Sequence, residues 1–177
     1  MSGTERREID ALLFQLDRDL RQAFRTAAEA QRVGVSDSLA RYRKFREEAD
    51  EFQALVAVLR DRLHRLAEEI TPEMRRQVDQ ADAQMVVLMI KTSGYFFDSF
   101  AKSKEIPMGT HEICSAALRS IEELGERLGG LDYVGANATA YTGERVDALQ
   151  SEVVRIVAVL RAILDKAFSL PSFDHRP

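Results

Sequence analysis

His111 and Cys114 carry the side chains of this chain best suited to nucleophilic or metal chemistry, and they stand three residues apart. On a helix that spacing puts both on one face, where they could supply two ligands to zinc or work as a thiol and imidazole pair. Zinc asks for four ligands. The other histidines do not complete the set: His64 sits between Leu63 and Leu66 in a helical pattern, and His175 lies close to the C-terminus. No metal is therefore expected. A catalytic pair fares no better, because nothing marks a third group to orient the imidazole, although a thiol in a first helical turn is open to activation by the helix dipole. The acids Glu68, Glu69, Asp79 and Asp82 lack the Glu-x-x-His spacing of di-iron bundles, and Gly125, Gly129 and Gly130 lack the Lys-Ser/Thr of a phosphate loop. No cofactor is expected, and a non-enzyme is the reading favoured.

Two short stretches point to other chemistry. Arg41, Arg43, Lys44 and Arg46, with Tyr42 and Phe45 between them, have the composition of a phosphate-contacting patch with stacking rings. Glu47, Glu48, Asp50 and Glu51 follow at once, so Arg43 with Glu47 and Lys44 with Glu48 can pair one turn apart, and Phe45 falls on an apolar seam. The expectation is a self-neutralised helix face and no nucleic-acid partner, in keeping with a net charge of −4 and a pI near 5.5. His111-Glu112-Ile113, followed by Ala117, Leu118 and Ile121, resembles the phospho-accepting box of histidine-kinase dimerisation domains, where His-Glu and an apolar residue open a bundle helix. The resemblance implies phosphate acceptance at His111 beside an acid, Glu112. It departs where that family has a basic residue, a small residue and proline, since Cys114, Ser115 and Ala116 stand here and Pro107 lies upstream. With no room after Pro177 for an ATP-binding domain, it implies a phosphotransfer module served by a separate kinase.

The elements that must hold these residues are helices. Ile9, Leu13, Leu16, Leu20, Ala23 and Ala27 alternate by four and three, with Leu12 and Phe24 widening the stripe, which predicts a helix from Thr4 to about Val33. Phe45, Ala49, Phe52, Val56, Leu59, Leu63, Leu66 and Ile70 keep the same alternation and predict a second helix roughly 50 Å long. Thr71-Pro72-Glu73 is a restart signal: a capping threonine, proline at the first helical position and an acid on the positive end of the dipole. The third helix then runs through Met74, Val78, Ala81, Met85, Leu88 and Thr92, with Gly94 as its weak point, and ends before Ile106-Pro107. Thr110 caps a fourth with Ile113, Ala117, Ile121, Leu124 and Leu128 inward, stopped at Gly129-Gly130. Leu131 to Thr142 reads as the one long connection. Val146, Leu149, Val153, Ile156, Leu160, Ile163 and Ala167 line a last helix, in which Val154, Val157, Val159 and Leu164 leave only a narrow polar stripe.

Together these predict an all-α protein: an elongated, antiparallel up-and-down bundle of about five helices with coiled-coil-like seams. One domain is expected over residues 4–168, with a loose tail at 169–177. The lone Cys114 excludes an intramolecular disulfide. With no membrane-span-length apolar run and no secretory signal near Met1, a cytoplasmic location is the default.

Met85 to Ile90 is an unbroken apolar run, and a helix turning about 100° per residue shows such a run on every side. Tyr95, Phe96, Phe97 and Phe100 follow on the same helix. Adjacent rings such as Phe96 and Phe97 point apart, so a single bundle is expected to leave one outside as a sticky patch. The function expected is therefore a non-enzymatic protein-protein interaction or assembly module, engaging a second copy or another protein through Met85, Leu88, Met89, Phe96, Phe97 and Phe100. Phosphate acceptance at His111 is the alternative.

Overall fold

A computed structural model of the chain describes residues 3–32, 38–66, 72–103, 109–130 and 146–167. Among the described residues there are five helices and no strand: α1 Gly3–Ala30, α2 Ser38–Arg65, α3 Pro72–Ala101, α4 Thr110–Gly130 and α5 Val146–Leu164. The restart at Pro72 falls where the sequence signal put it, and the fourth helix begins at Thr110 itself, with Gly109 O accepting its first bond from Ile113. The expected connection at 131–142, the tail at 169–177 and the seam residue Ile70 lie outside the described residues.

The seams are the reason these segments are helices that stay together. Along α2 the buried residues are Tyr42, Phe45, Ala49, Phe52, Val56, Leu59 and Leu63, an alternation of three and four without error. On α5 they are Leu149, Val153, Ile156, Leu160 and Ile163. Each such stripe needs a neighbour, and cross-helix bonds give the directions. Glu8 near the start of α1 pairs with Arg62 near the end of α2, and Tyr42 and Arg60 of α2 bond Ser93 and Asp79 of α3 in reversed order. Arg161 of α5 reaches back to Glu122 of α4. Sequential helices therefore alternate up and down.

α3 is the axis of the bundle. It packs against α1, α2 and α5 and touches α4, whereas α4 packs its backbone mainly on α5. Among the described residues α5 meets the C-terminal half of α3, through Lys91, Gly94, Tyr95 and Asp98 facing Ala148, Leu149, Glu152 and Arg155, and α4 reaches Asp82 through Arg127. The unbroken run Met85 to Ile90 is buried throughout, and beyond it Lys91, Tyr95 and Ser99 leave one exposed stripe on α3.

Close approach of α5 depends on two glycines. A Cβ on Gly94 would lie 2.3 Å from Glu152 Oε1 and 3.3 Å from Ile156 Cδ1; one on Gly125 would lie 2.9 Å from Val153 Cγ1. Gly94 is thus a contact point rather than the weak point expected: α3 continues unbroken through it, because helices pack on both sides of the residue. Arg155 adds ion pairs to Asp98 of α3 and to Glu152.

Two expected core assignments fail. Phe24 does not widen the buried stripe of α1 but is 46% exposed, and Val154 is 70% exposed. Both sit on outer helices that have neighbours on one side only.

Candidate functional site

The most polar place in the interior is built around Asp82. Its side chain is fully buried, one turn before the enclosed run and on the face shared with Met85, Val86 and Met89. A bare carboxylate there would be untenable, and three donors from two other helices, α2 and α4, satisfy it. Gln53 Nε2 donates to Oδ1 at 3.0 Å, and Arg60 Nη2 donates to Oδ2 at 2.8 Å. Arg127 Nη2 donates to both oxygens, at 3.1 and 2.9 Å, while its Nη1 donates to Gln53 Oε1 at 2.9 Å. Arg60 also pairs with Asp79 at 3.0 Å, so two acids and two arginines close a neutral group across α2, α3 and α4. Charge-assisted bonds of this kind fix geometry well. Both oxygens of Asp82 are engaged and shielded from water, so the carboxylate presents nothing to a substrate. It sets the register of α4 on α2 and α3.

Above it lies an aromatic group. Tyr42 stacks on Phe96 with centroids 4.2 Å apart, Phe97 meets both rings edge-on, and Phe100 stacks on Phe96 at 5.7 Å. The Tyr42 hydroxyl shares a 2.9 Å hydrogen bond with Ser93, and burial pushes its pKa above the ordinary phenol value. This disposes of the stacking patch around Arg41 to Arg46: its two rings, Tyr42 and Phe45, are inside. Arg46 turns inward to donate to Ser120 Oγ at 2.6 Å and pairs with Asp50, where pairs from Arg43 and Lys44 were expected.

His111 is half-buried at the second position of α4, and Cys114 is buried a turn later. Burial pushes the thiol up to about 11, so the helix dipole does not activate it as the sequence allowed. Among the described residues, no group of three or more His, Cys, Asp or Glu is placed to hold a metal ion.

The apolar surplus expected on the outside is housed within one copy. Met85, Leu88, Met89, Phe96 and Phe97 are all buried, with Phe96 at 3% and Phe97 at 1% exposure, and Phe100 is partly buried against the same core. The expectation that one ring stays outside assumed a helix with one covered side. α3 is covered on opposite sides, by α2 and by the α4 and α5 pair, so rings pointing apart are both enclosed. These six residues are therefore not an open contact surface of this fold.

An open groove with an exposed aromatic ring at its rim lies elsewhere. Leu13, Phe14, Asp17 and Leu20 of α1 and Gln77, Gln80 and Gln84 of α3 line a groove of about 420 Å³ beside the N-terminal half of α3. Phe14 stands at its rim with 73% of its surface exposed. The sequence carried a signal for this: Phe14 lies off the buried alternation of α1, and α5 is too short to run the length of α3. No helix among the described residues is long and apolar enough to cross a membrane. Comparison with protein-family models, with curated proteins and with solved structures finds no match.

Proposed function

We propose that this chain is a non-enzymatic interaction or assembly module that engages protein through the groove between α1 and α3. One observation carries the reading: Phe14 is held in water at the rim of a groove of mixed leucine and glutamine lining, although the core behind it is already closed. Leaving a phenyl ring exposed forgoes about 2 kcal/mol of burial, which a partner recovers on covering it. The groups with chemical potential point the same way, since Asp82, Tyr42 and Cys114 are all engaged in the interior.

The test is photo-crosslinking in cells with a benzophenone analogue of phenylalanine at position 14. Discrete adducts that disappear when the analogue is moved to position 18, outside the groove, are the expected result. A chain that remains uncrosslinked from position 14 overturns the proposal.

A further inference from the structure

Resting on that reading, we infer that the occupant of the groove is α1 of a second copy, laid antiparallel across a two-fold axis. The surface of α1 beside the groove is a regular stripe of Asp10, Phe14, Asp17, Arg21, Phe24 and Ala28, all exposed, spaced alternately by four and three. That is the spacing with which one helix meets another along its length. Two of the five large exposed hydrophobic side chains of the described residues, Phe14 and Phe24, belong to it.

The four inner residues of the stripe, Phe14, Asp17, Arg21 and Phe24, are complementary about its midpoint, at residue 19, while the outer pair is Asp10 and Ala28. Placed antiparallel on a copy of itself, the stripe sets Phe14 against the partner's Phe24 and Asp17 against the partner's Arg21. The two-fold axis repeats both contacts. A parallel arrangement would instead set Asp17 on Asp17 and Arg21 on Arg21. Charge complementarity therefore selects both the occupant and its direction. Asp17 and Arg21, with side chains 54% and 70% exposed, already pair within one chain at 2.7 Å, and the second copy joins two such pairs into one alternating group of four.

The groove accepts this geometry. Phe14 rims it, so the partner's Phe24, at the same level, enters the space lined by Leu13 and Leu20. The facing wall is Gln77, Gln80 and Gln84, uncharged and at least partly open, which repels neither a ring nor an ion pair. Among the described residues α5 meets α3 only from Lys91 onward and does not reach this part of it.

The experiment is sedimentation equilibrium on the full chain, with circular dichroism confirming that each variant is folded. Wild type is expected to dimerise with a micromolar dissociation constant. Asp17→Arg and Arg21→Asp each set like charges face to face and should each weaken the dimer by about tenfold or more. Mixed in equal amounts, the two variants should associate again as a heterodimer, because every facing pair is then opposite in sign. A wild-type dimer whose strength neither variant changes, or a mixture that fails to associate, overturns the antiparallel α1 pairing and leaves the interaction reading standing. A wild type that is monomeric at 100-fold above the micromolar range (on the order of 100 µM) also overturns it, and adducts from position 14 to a different protein then identify the other occupant.

Discussion

Replacing Asp82 with alanine removes the one acceptor that Gln53, Arg60 and Arg127 share, and the cost follows from what is left behind. Breaking a buried ion pair from one side costs about 3–5 kcal/mol, because the remaining charge stays desolvated. Here the two arginine side chains keep 37% and 30% exposure and can turn partly to water. The expected loss is therefore nearer ~2–4 kcal/mol, still a large share of the ~5–15 kcal/mol of an ordinary domain. Asp82→Asn keeps the volume but points an amide N–H at a guanidinium, so it should lose at least half as much and separate charge from packing. Exchanging the group together, Asp82→Leu with Arg60→Met and Arg127→Met, should restore most of the loss, since no charge is then stranded. Urea unfolding followed by circular dichroism measures all three. An Asp82→Ala protein within about 1 kcal/mol of wild type would refute the assignment of this group as the tie between α4 and the α2 and α3 pair.

Met89→Asp should unfold the protein rather than release a partner, since it buries an unpaired charge at a cost of several kcal/mol; a folded variant seen by circular dichroism would contradict the enclosure of α3. Gly94→Ala should cost little, about 0–1 kcal/mol, because Glu152 can swing aside and alanine favours the helix, whereas Gly125→Ala meets the stiff Val153 and should cost about 1–2 kcal/mol in the same urea assay. For Cys114 the thiol is held protonated when folded, its pKa raised from 9.0 to about 11. The folded state therefore binds the extra proton, and stability is unaffected below pH 9 and falls as pH rises from 9 towards 11, by at most ~2–3 kcal/mol. The difference between wild type and Cys114→Ala over that range isolates it, and a flat difference curve would contradict the burial. Incubation with histidine kinases should leave the same acid-labile phosphate on wild type and on His111→Gln; a signal lost only in the variant would establish the phosphotransfer alternative instead.

The fold was legible because its signals are local and redundant. The seam of α2 is written in seven consecutive alternations, and Pro72 and Thr110 mark helix starts by chemistry that needs no tertiary partner. What periodicity cannot supply is how many neighbours a helix has. Met85 to Ile90 required cover on every side, and a companion chain and an encircling bundle satisfy that requirement equally; the choice depends on where α4 and α5 return, which no spacing encodes. Asp82 was readable in part, since a residue sharing a face with Met85, Val86 and Met89 must be buried if they are. Its partners were not, because Gln53, Arg60 and Arg127 sit on polar-looking flanks of distant helices. The exposed Phe24 shows the opposite error: an apolar residue near a stripe was counted as core, although its angle around α1 carries it past the last neighbour.

The length of the elements decides where this protein can still be completed. α3 is longer than α4 and α5; α5 meets its C-terminal half and α4 reaches Asp82, so among the described helices those beside its first turns are α1 and α2. There the residues of α3 that line the groove include Gln77, Gln80 and Gln84, polar enough to stand in water yet without charge. A face meant to remain permanently wet would normally carry acids and bases, as the rest of this chain does at 31% charged residues. A glutamine wall beside an exposed phenylalanine suits a surface that spends time covered, with an aromatic side chain kept and the nearby charges, Asp17 and Arg21, paired with each other. Among the described helices a groove stays open between α1 and this end of α3, and on the pairing inferred above a copy's α1 has the spacing and charge order to fill it.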